Sequence, residues 1–212
     1  MGILSPVTDA YRRQIVPRFI DIACGSSAMK AGRDRATEGL SGVTVEIGFG
    51  SGLNVASYPP EVTLVHAVEP SEVGRRLSEK RVAASSVPID FAGLRGESIE
   101  LPDDSCDSAL CTFTLCTIPG VEQALLELRR VLKPGGRFHF LEHGLAPDDG
   151  VQRWQHRLEP LQLALADGCH LTRDPAALVR DAGFEIESVE SAYAPGPKPW
   201  GYMTVGRAVN PG

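Results

Sequence analysis

The chain has 212 residues, of which 42% are hydrophobic, 23% charged and 6% aromatic. This suits one globular domain that needs neither disulfides nor a structural metal to hold its core. Lys and Arg number 21 against 27 Asp and Glu, a net charge of -6, so no general attraction to nucleic acid exists and no such partner is expected. The cysteines, Cys24, Cys106, Cys111, Cys116 and Cys169, are odd in number and include no C-x-x-C pair, which argues against a secreted scaffold or a zinc ribbon and for a reducing cytoplasm.

The first segment, 1–40, carries Arg12, Arg13, Arg18, Lys30, Arg33 and Arg35 between apolar Ile15, Val16, Phe19, Ile20 and Ile22. Its spacing predicts two helices, Thr8 to Cys24 and Ala28 to Gly39, each with an apolar stripe. They read either as helices packed on the domain or as a lid over an active site, which divides the chain into a helical lid segment, 1–40, and a domain, 41–212. The most apolar piece is broken by Pro17 and Arg18, and no window nears the ~18 residues of a membrane helix, so neither a signal peptide nor a membrane anchor is expected. From residue 43 short apolar runs alternate with helical stretches. Strands are predicted at 43–47, 64–68, 89–92, 106–113 and 137–142, with helices at 72–84 and 121–132. The second helix has apolar residues at 121, 124, 125, 128, 131 and 132 and meets Lys133-Pro134-Gly135-Gly136, where proline cannot continue it and glycine lets the chain reverse. Such alternation implies right-handed crossovers and a mainly parallel sheet. The tail reads as helices at 154–166 and 175–182, then strands at 184–191 and 202–209. The link Pro195 to Gly201 is too short for a helical crossover, so these two strands should pair antiparallel.

Glu46-Ile47-Gly48-Phe49-Gly50-Ser51-Gly52 follows the first strand. Glycines there allow a tight turn and bring a ligand close to main-chain N–H groups, at the strand ends where doubly wound sheets bind ligands. The spacing differs from the dinucleotide pattern, because Leu53 stands where its third small residue belongs. Glycines at 48, 50 and 52 behind an acidic residue are more typical of adenosylmethionine binding. Glu69 ends the second strand, just before Pro70 and 21 residues after Gly48. A carboxylate so placed can accept both ribose hydroxyls of an adenosine; the plainer reading is a surface Glu before a turn. Gly96-Glu97-Ser98, after the third strand, can offer an acceptor to an adenine amino group or be an ordinary loop.

Taken together these residues resemble class I S-adenosylmethionine-dependent methyltransferases over about residues 43–142: E-I-G-F-G-S-G, A-V-E-P, G-E-S-I-E-L-P-D-D-S-C-D and E-L-R-R-V-L-K-P-G-G-R-F. The resemblance implies a Rossmann-like α/β fold, a mainly parallel seven-stranded sheet with an antiparallel C-terminal hairpin and helices on both faces. It also implies S-adenosyl-L-methionine as cofactor and S-adenosyl-L-homocysteine as product. The first motif, with Glu46, Gly48, Gly50 and Gly52, would hold the methionine part. Glu69 and Pro70 would meet the ribose, Glu97 and Ser98 the adenine, and Thr112 and Phe113 would line the cofactor. Phe49 departs from the Cys or small residue of many members.

A narrower resemblance, to the thiol S-methyltransferases, rests on Cys111-Thr-Phe-Thr-Leu-Cys116, Phe140-Leu-Glu-His143, Trp154-Gln155, Glu159-Pro160 and above all Asp167-Gly-Cys169-His-Leu-Thr172-Arg173. Known animal members are membrane-associated and act on hydrogen sulfide and small alkyl thiols; they carry an apolar N-terminal anchor, for which no counterpart is found here. The resemblance therefore implies a methyltransferase without an anchor, acting on a small-molecule thiol, a metabolite or a dithiol natural product. The alternative is an O- or C-methyltransferase of a quinone, phenol or lipid.

Methyl transfer is an in-line displacement with a neutral leaving thioether, so the expected tasks are positioning and exclusion of water. A thiol has a pKa of about 8.5 and reacts as thiolate. His143, at the end of the fifth strand, is the candidate base; it equally suits a loop-supporting role. Cys116 lies on the acceptor rim and reads as a substrate contact or a small buried hydrophobe. Trp154 reads as a pocket wall or as helix packing. Thr172 is expected to cap the helix near Pro175, with His170 and Arg173 in the same turn. His139 and His143 lie four apart on a strand, ~13 Å end to end, too far for one ion, so no metal is expected.

Overall fold

The computed structural model describes residues 11–212. The beginning of the first predicted helix, 8–10, lies outside them; within them the chain enters by a π-helical turn, Tyr11–Ile15, followed by α1, Val16–Cys24. Helix α2, Ser27–Thr37, starts at Ser26, whose side chain accepts from the Met29 N–H, a hydroxyl N-cap.

The sheet has seven strands: β1 Gly42–Ile47, β2 Val62–Val68, β3 Ile89–Phe91, β4 Cys106–Thr112, β5 Leu132–His143, β6 Glu185–Tyr193 and β7 Tyr202–Val209. Their order is β3-β2-β1-β4-β5-β7-β6. The first five pair in parallel, and β7 runs antiparallel to both β5 and β6. This is the expected architecture. Three helices follow strands, α3 Glu72–Ala83, α4 Val121–Val131 and α5 Asp149–Leu165, and α6 Pro175–Asp181 comes between α5 and β6. A short turn of helix, Lys198–Gly201, closes the final hairpin.

Both faces of the central strands are covered. On one side Val45, Ile47, Leu125, Leu128, Phe138, Phe140 and Phe184 form the main core, with the Phe138 and Phe184 rings 5.3 Å apart. On the other, Ala36 of α2 and nearby Leu40 pack with Val65, Leu110 and Leu141. A sheet buried on both faces explains why β1, β2 and β4 read as near-continuous apolar runs. Helix α4 buries Val121, Ala124, Leu125, Leu128 and Val131, the predicted stripe. It stops at Val131, one residue short of the prediction; Leu132 already pairs with Cys106, the next β4 pairing is Arg137 with Ser108, and the Lys133–Gly136 stretch between them turns at Gly135, φ 78°, as expected. Asn210 explains the difference: its Nδ2 donates to the Arg129 and Leu132 carbonyls, capping the helix from the C-terminal segment. Strand order changes direction between β1 and β4, so the crevice at their carboxyl ends is the ligand-binding position of this topology.

Candidate functional site

The crevice has two ends. At the β1–β2 end, Gly48, Gly50 and Gly52 all have positive φ, 70°, 57° and 75°, which side-chain-bearing residues adopt at a cost. Gly48 is also required by space, since a Cβ there would run into the Thr114 Oγ1. Helix α3 approaches the loop through Gly74, where a Cβ would stand 3.2 Å from the Gly50 carbonyl; the sequence reading missed this residue. Phe49 points into the protein and meets Phe91 edge to face at 5.6 Å.

Two buried carboxylates hold the loop. Glu46 accepts from Asn54 Nδ2 at 2.9 Å and from the Tyr58 hydroxyl. Asn54 Nδ2 also donates to Thr112 Oγ1 at 2.9 Å, which ties the ends of β1 and β4 together. Burial raises the Glu46 pKa to about 7 against the pull of these donors. Glu69 is 5% exposed. It accepts from the Gly50 N–H at 2.6 Å and the Ser71 N–H at 2.7 Å, joining the loop to the start of α3. Burial likewise raises its pKa. Pro70 beside it is exposed. The N-terminal segment closes on the same loop: Asp21 of α1 accepts from Ser51 Oγ at 2.6 Å and pairs with Arg81 at 3.0 Å. Arg33 of α2 is buried, donates to the Cys24 carbonyl at 2.7 Å and lies 5.4 Å from the Phe113 ring centre.

Glu97 turns toward the start of α4, accepting weakly from the Gly120 N–H at 3.4 Å, while Ser98 is exposed. Thr112 ends β4 and is buried; Phe113 follows with a left-handed φ of 56°, a strained conformation of the kind that gathers at ligand sites. These residues fit an adenosylmethionine. The loop presents backbone at positive φ, a carboxylate stands at the next strand end, and Asn54 Oδ1 and Arg33 Nε are buried without a partner among the described residues. A cavity of about 540 Å³ lined by Lys30, Lys80 and Arg81 also takes in Gly52, Arg33 and Tyr58, the Glu46 partner, so it adjoins this set.

The β4–β5 end is built around Glu142, which the sequence reading did not single out. Its buried carboxylate accepts from the backbone N–H groups of Thr114 at 2.8 Å, Leu115 at 3.0 Å and Cys116 at 3.2 Å, and from the Cys111 thiol. Burial raises its pKa against these donors. Arg173 donates to the Leu115 carbonyl at 2.5 Å and the Ile118 carbonyl at 3.0 Å, securing the same turn from outside. His143, the last residue of β5, meets Cys169 Sγ at 2.8 Å, and Cys169 in turn meets Cys116 Sγ at 3.5 Å. Burial disfavours charge on His143, but the Cys169 sulfur and the Glu142 carboxylate outweigh it and the ring titrates above its usual range. Cys169 donates to Cys116 and is buried, so its own pKa is pushed up.

The 167–173 string is organised by Glu159 of α5, which the sequence reading quoted in the family resemblance without giving it a role. Glu159 accepts from His170 Nδ1, the Leu171 N–H and Thr172 Oγ1 at 2.8, 2.7 and 3.0 Å. Thr172 therefore does not cap α6; Asp174 does, accepting from the Ala177 N–H at 3.0 Å. Trp154 is 55% exposed on α5 with Arg157 over its ring. Its neighbour Gln155 is the buried one, bonded to Gly144, Ala146 and Pro199. Trp154 is thus not brought to the Cys116–His143–Cys169 group. His139, whose ring bonds the Ala36 carbonyl at 2.8 Å, is held by burial at a pKa of about 4 and is not part of that group either.

Residues 45–140 match the family model described as "Methyltransferase domain". The thiol S-methyltransferase TMT1B of Rattus norvegicus is 35% identical over 173 residues, 78% of this chain and 69% of that protein. The ubiquinone/menaquinone biosynthesis C-methyltransferase UbiE of Methylobacterium nodulans is 40% identical over 81 residues, only 38% of this chain and 31% of that protein. A SAM-dependent methyltransferase of Thermotoga maritima, described as a possible histamine N-methyltransferase, superposes with a TM-score of 0.67 at 22% identity, covering 95% of this chain and 98% of that one. The crevice with its glycine loop and strand-end carboxylate is thus that of an S-adenosylmethionine-dependent methyltransferase, and the chain belongs to the thiol S-methyltransferase family.

Proposed function

We propose that the protein methylates the sulfur of a small-molecule thiol. The observation that carries this is the 167–173 segment, whose sequence resembles the thiol S-methyltransferases and which delivers Cys169 to His143 and Cys116, in a chain matched over 78% of its length by a relative of that name. The C-methyltransferase relative accounts for 38% of the chain and leaves most of it unexplained.

In this reading the glycine loop and Glu46 hold the methionine part of the cofactor, Glu69 the ribose, and Glu97 and Ser98 edge the adenine. When bound, S-adenosylmethionine supplies a methyl group on a sulfonium. The task of the chain is then to set an acceptor sulfur in line at about 3 to 3.5 Å and keep water out. Residues 1–40 serve as the lid; support comes from Asp21, which grips Ser51 and Arg81, and from Arg33, which spans to the Cys24 carbonyl. At the acceptor end Cys116 borders the sulfur, and His143 is the group able to take a thiol proton.

No helix among the described residues is long and apolar enough to cross a membrane. We infer a reducing, cytoplasmic setting, which the free thiols of all five cysteines favour. The test incubates the protein with methyl-labelled donor and a panel of alkyl thiols, dithiols, phenols and quinols, reading labelled product and S-adenosylhomocysteine. Labelled thioether is expected; turnover confined to oxygen or carbon acceptors would overturn the reading.

A further inference from the structure

Cys116, His143 and Cys169 arrive from three separate elements: the turn after β4, the end of β5 and the turn after α5. Their ligand atoms all lie within 4.8 Å of one another, and both cysteines are buried. The turns that carry the two cysteines are fixed by bonds to the backbone around them. Glu142 accepts from the Cys116 N–H, the His170 N–H donates to the Cys116 carbonyl at 2.7 Å, and Glu159 accepts from the Leu171 N–H. These bonds hold the two sulfurs in place, while His143 Nδ1 is buried without a partner among the described residues.

Two thiols and an imidazole form a soft to borderline donor set, suited to zinc and unsuited to magnesium or calcium. A tetrahedron with bonds of about 2.3 Å to sulfur and about 2.0 Å to nitrogen sets its ligand atoms about 3.6 to 3.8 Å apart. The two sulfurs stand 3.5 Å apart, within a few tenths of that spacing. His143 Nε2 stands 2.8 Å from Cys169 Sγ, closer than that spacing, so an ion would have to spread this pair apart while displacing the protons the ligands carry. Three protein ligands leave a fourth position open, the arrangement of catalytic zinc sites.

We propose that Cys116, His143 and Cys169 bind a zinc ion whose fourth position takes the acceptor sulfur as its thiolate. This rests on the thiol-methylation reading and replaces one part of it: the ion, not the His143 ring, generates the nucleophile. The thiol proton passes to solvent as sulfur joins the ion. The sulfur then gives an electron pair to the methyl carbon, the carbon–sulfonium bond breaks with its pair left on the cofactor's sulfur, and the neutral thioether leaves the ion. Two thiolates neutralise the ion, so the added thiolate leaves one negative charge facing the sulfonium.

The test starts with metal analysis of the full chain grown with zinc, where one zinc per chain is expected. Cys116→Ser and Cys169→Ser should weaken zinc binding about tenfold or more while keeping their affinity for S-adenosylhomocysteine, which shows that they fold. Cobalt(II) added to chelator-stripped protein should give a thiolate charge-transfer band and tetrahedral d–d bands, and adding an alkyl thiol should shift the d–d bands. Featureless cobalt spectra from folded wild type, or a Cys116–Cys169 disulfide in place of metal in protein kept under reductant, would overturn the site. Undiminished thiol methylation by stripped enzyme would overturn the role of zinc and leave the thiol reading standing. A normal cobalt response to thiol without methylation of any thiol would instead remove the thiol reading and leave the metal site.

Discussion

The two ends of the crevice are held by similar buried carboxylates but are assembled differently. At the β1–β2 end Glu46 bonds Asn54 across 8 residues of chain, and Glu69 bonds Gly50 across 19. At the β4–β5 end Cys116 reaches Glu142 across 26 residues and Cys169 across 53, and Arg173 reaches Leu115 across 58. The first end is mainly a local solution to binding one donor, with one long tie from Asn54 to Thr112 across 58 residues. The second is largely a tertiary solution, in which the turn after β4 makes its own bonds from the Thr117 and Ile118 N–H groups to the Thr114 carbonyl but is also held from β5 and from the segment after α5. Donor binding is therefore set by turn chemistry, and acceptor chemistry by long-range packing.

Substitutions on the two sides should separate these properties. The largest effect is expected from Glu142→Ala, which strips three backbone N–H groups of their acceptor and should cost about 3 to 5 kcal/mol in denaturant unfolding. A loss below about 1 kcal/mol would mean that the turn holds itself. Next is a pH effect at the donor end. Glu46 has its pKa raised from 4.5 to about 7, so between those values the folded state binds more protons than the unfolded one. Stability from this group is full below the lower value and is lost as pH rises through the upper one, on the order of 3 kcal/mol. Thermal unfolding should show wild type losing ground to Glu46→Gln as pH rises through that window; a difference independent of pH would remove the assignment. Glu69→Ala should leave the fold intact and weaken S-adenosylhomocysteine binding about 10- to 100-fold by calorimetry, as loss of hydrogen bonds to a charged group implies. Unchanged affinity would cancel the ribose role. The smallest effect belongs to Asp21→Asn, which loosens α1 from Ser51 and Arg81. It should lower stability by about 0.5 to 1 kcal/mol and raise the donor's dissociation rate in stopped flow; equal rates would mean that α1 is packing and not a lid.

The same contrast decides what was legible in the sequence. The strands, the hairpin and the glycine loop carry local signals, alternating runs and positive-φ turns, and these correspond to observed elements. Glycines 48, 50 and 52 had to be glycine for conformational reasons that spacing displays. Glu142 and Glu159 look in sequence like any acid in a strand or helix, and only the folded chain shows each gathering several donors. Thr172 and Asp174 are both acceptable caps by residue type; the bond to Glu159 occupies the first and leaves the role to the second. The expectation of no metal considered His139 and His143 on one strand, whereas the grouping that matters joins His143 to cysteines 26 and 27 residues away on either side. Trp154 and Gln155 are adjacent, and helical phase puts the glutamine inside and the tryptophan out.

The most direct test of the central claim is a competition. Wild-type protein is given methyl-labelled donor with an alkyl thiol and a phenol of similar size at equal concentration, and the label is traced by mass spectrometry. The account predicts label on sulfur, as thioether, with one S-adenosylhomocysteine released per methyl. Label on oxygen or carbon with the thiol untouched would contradict it.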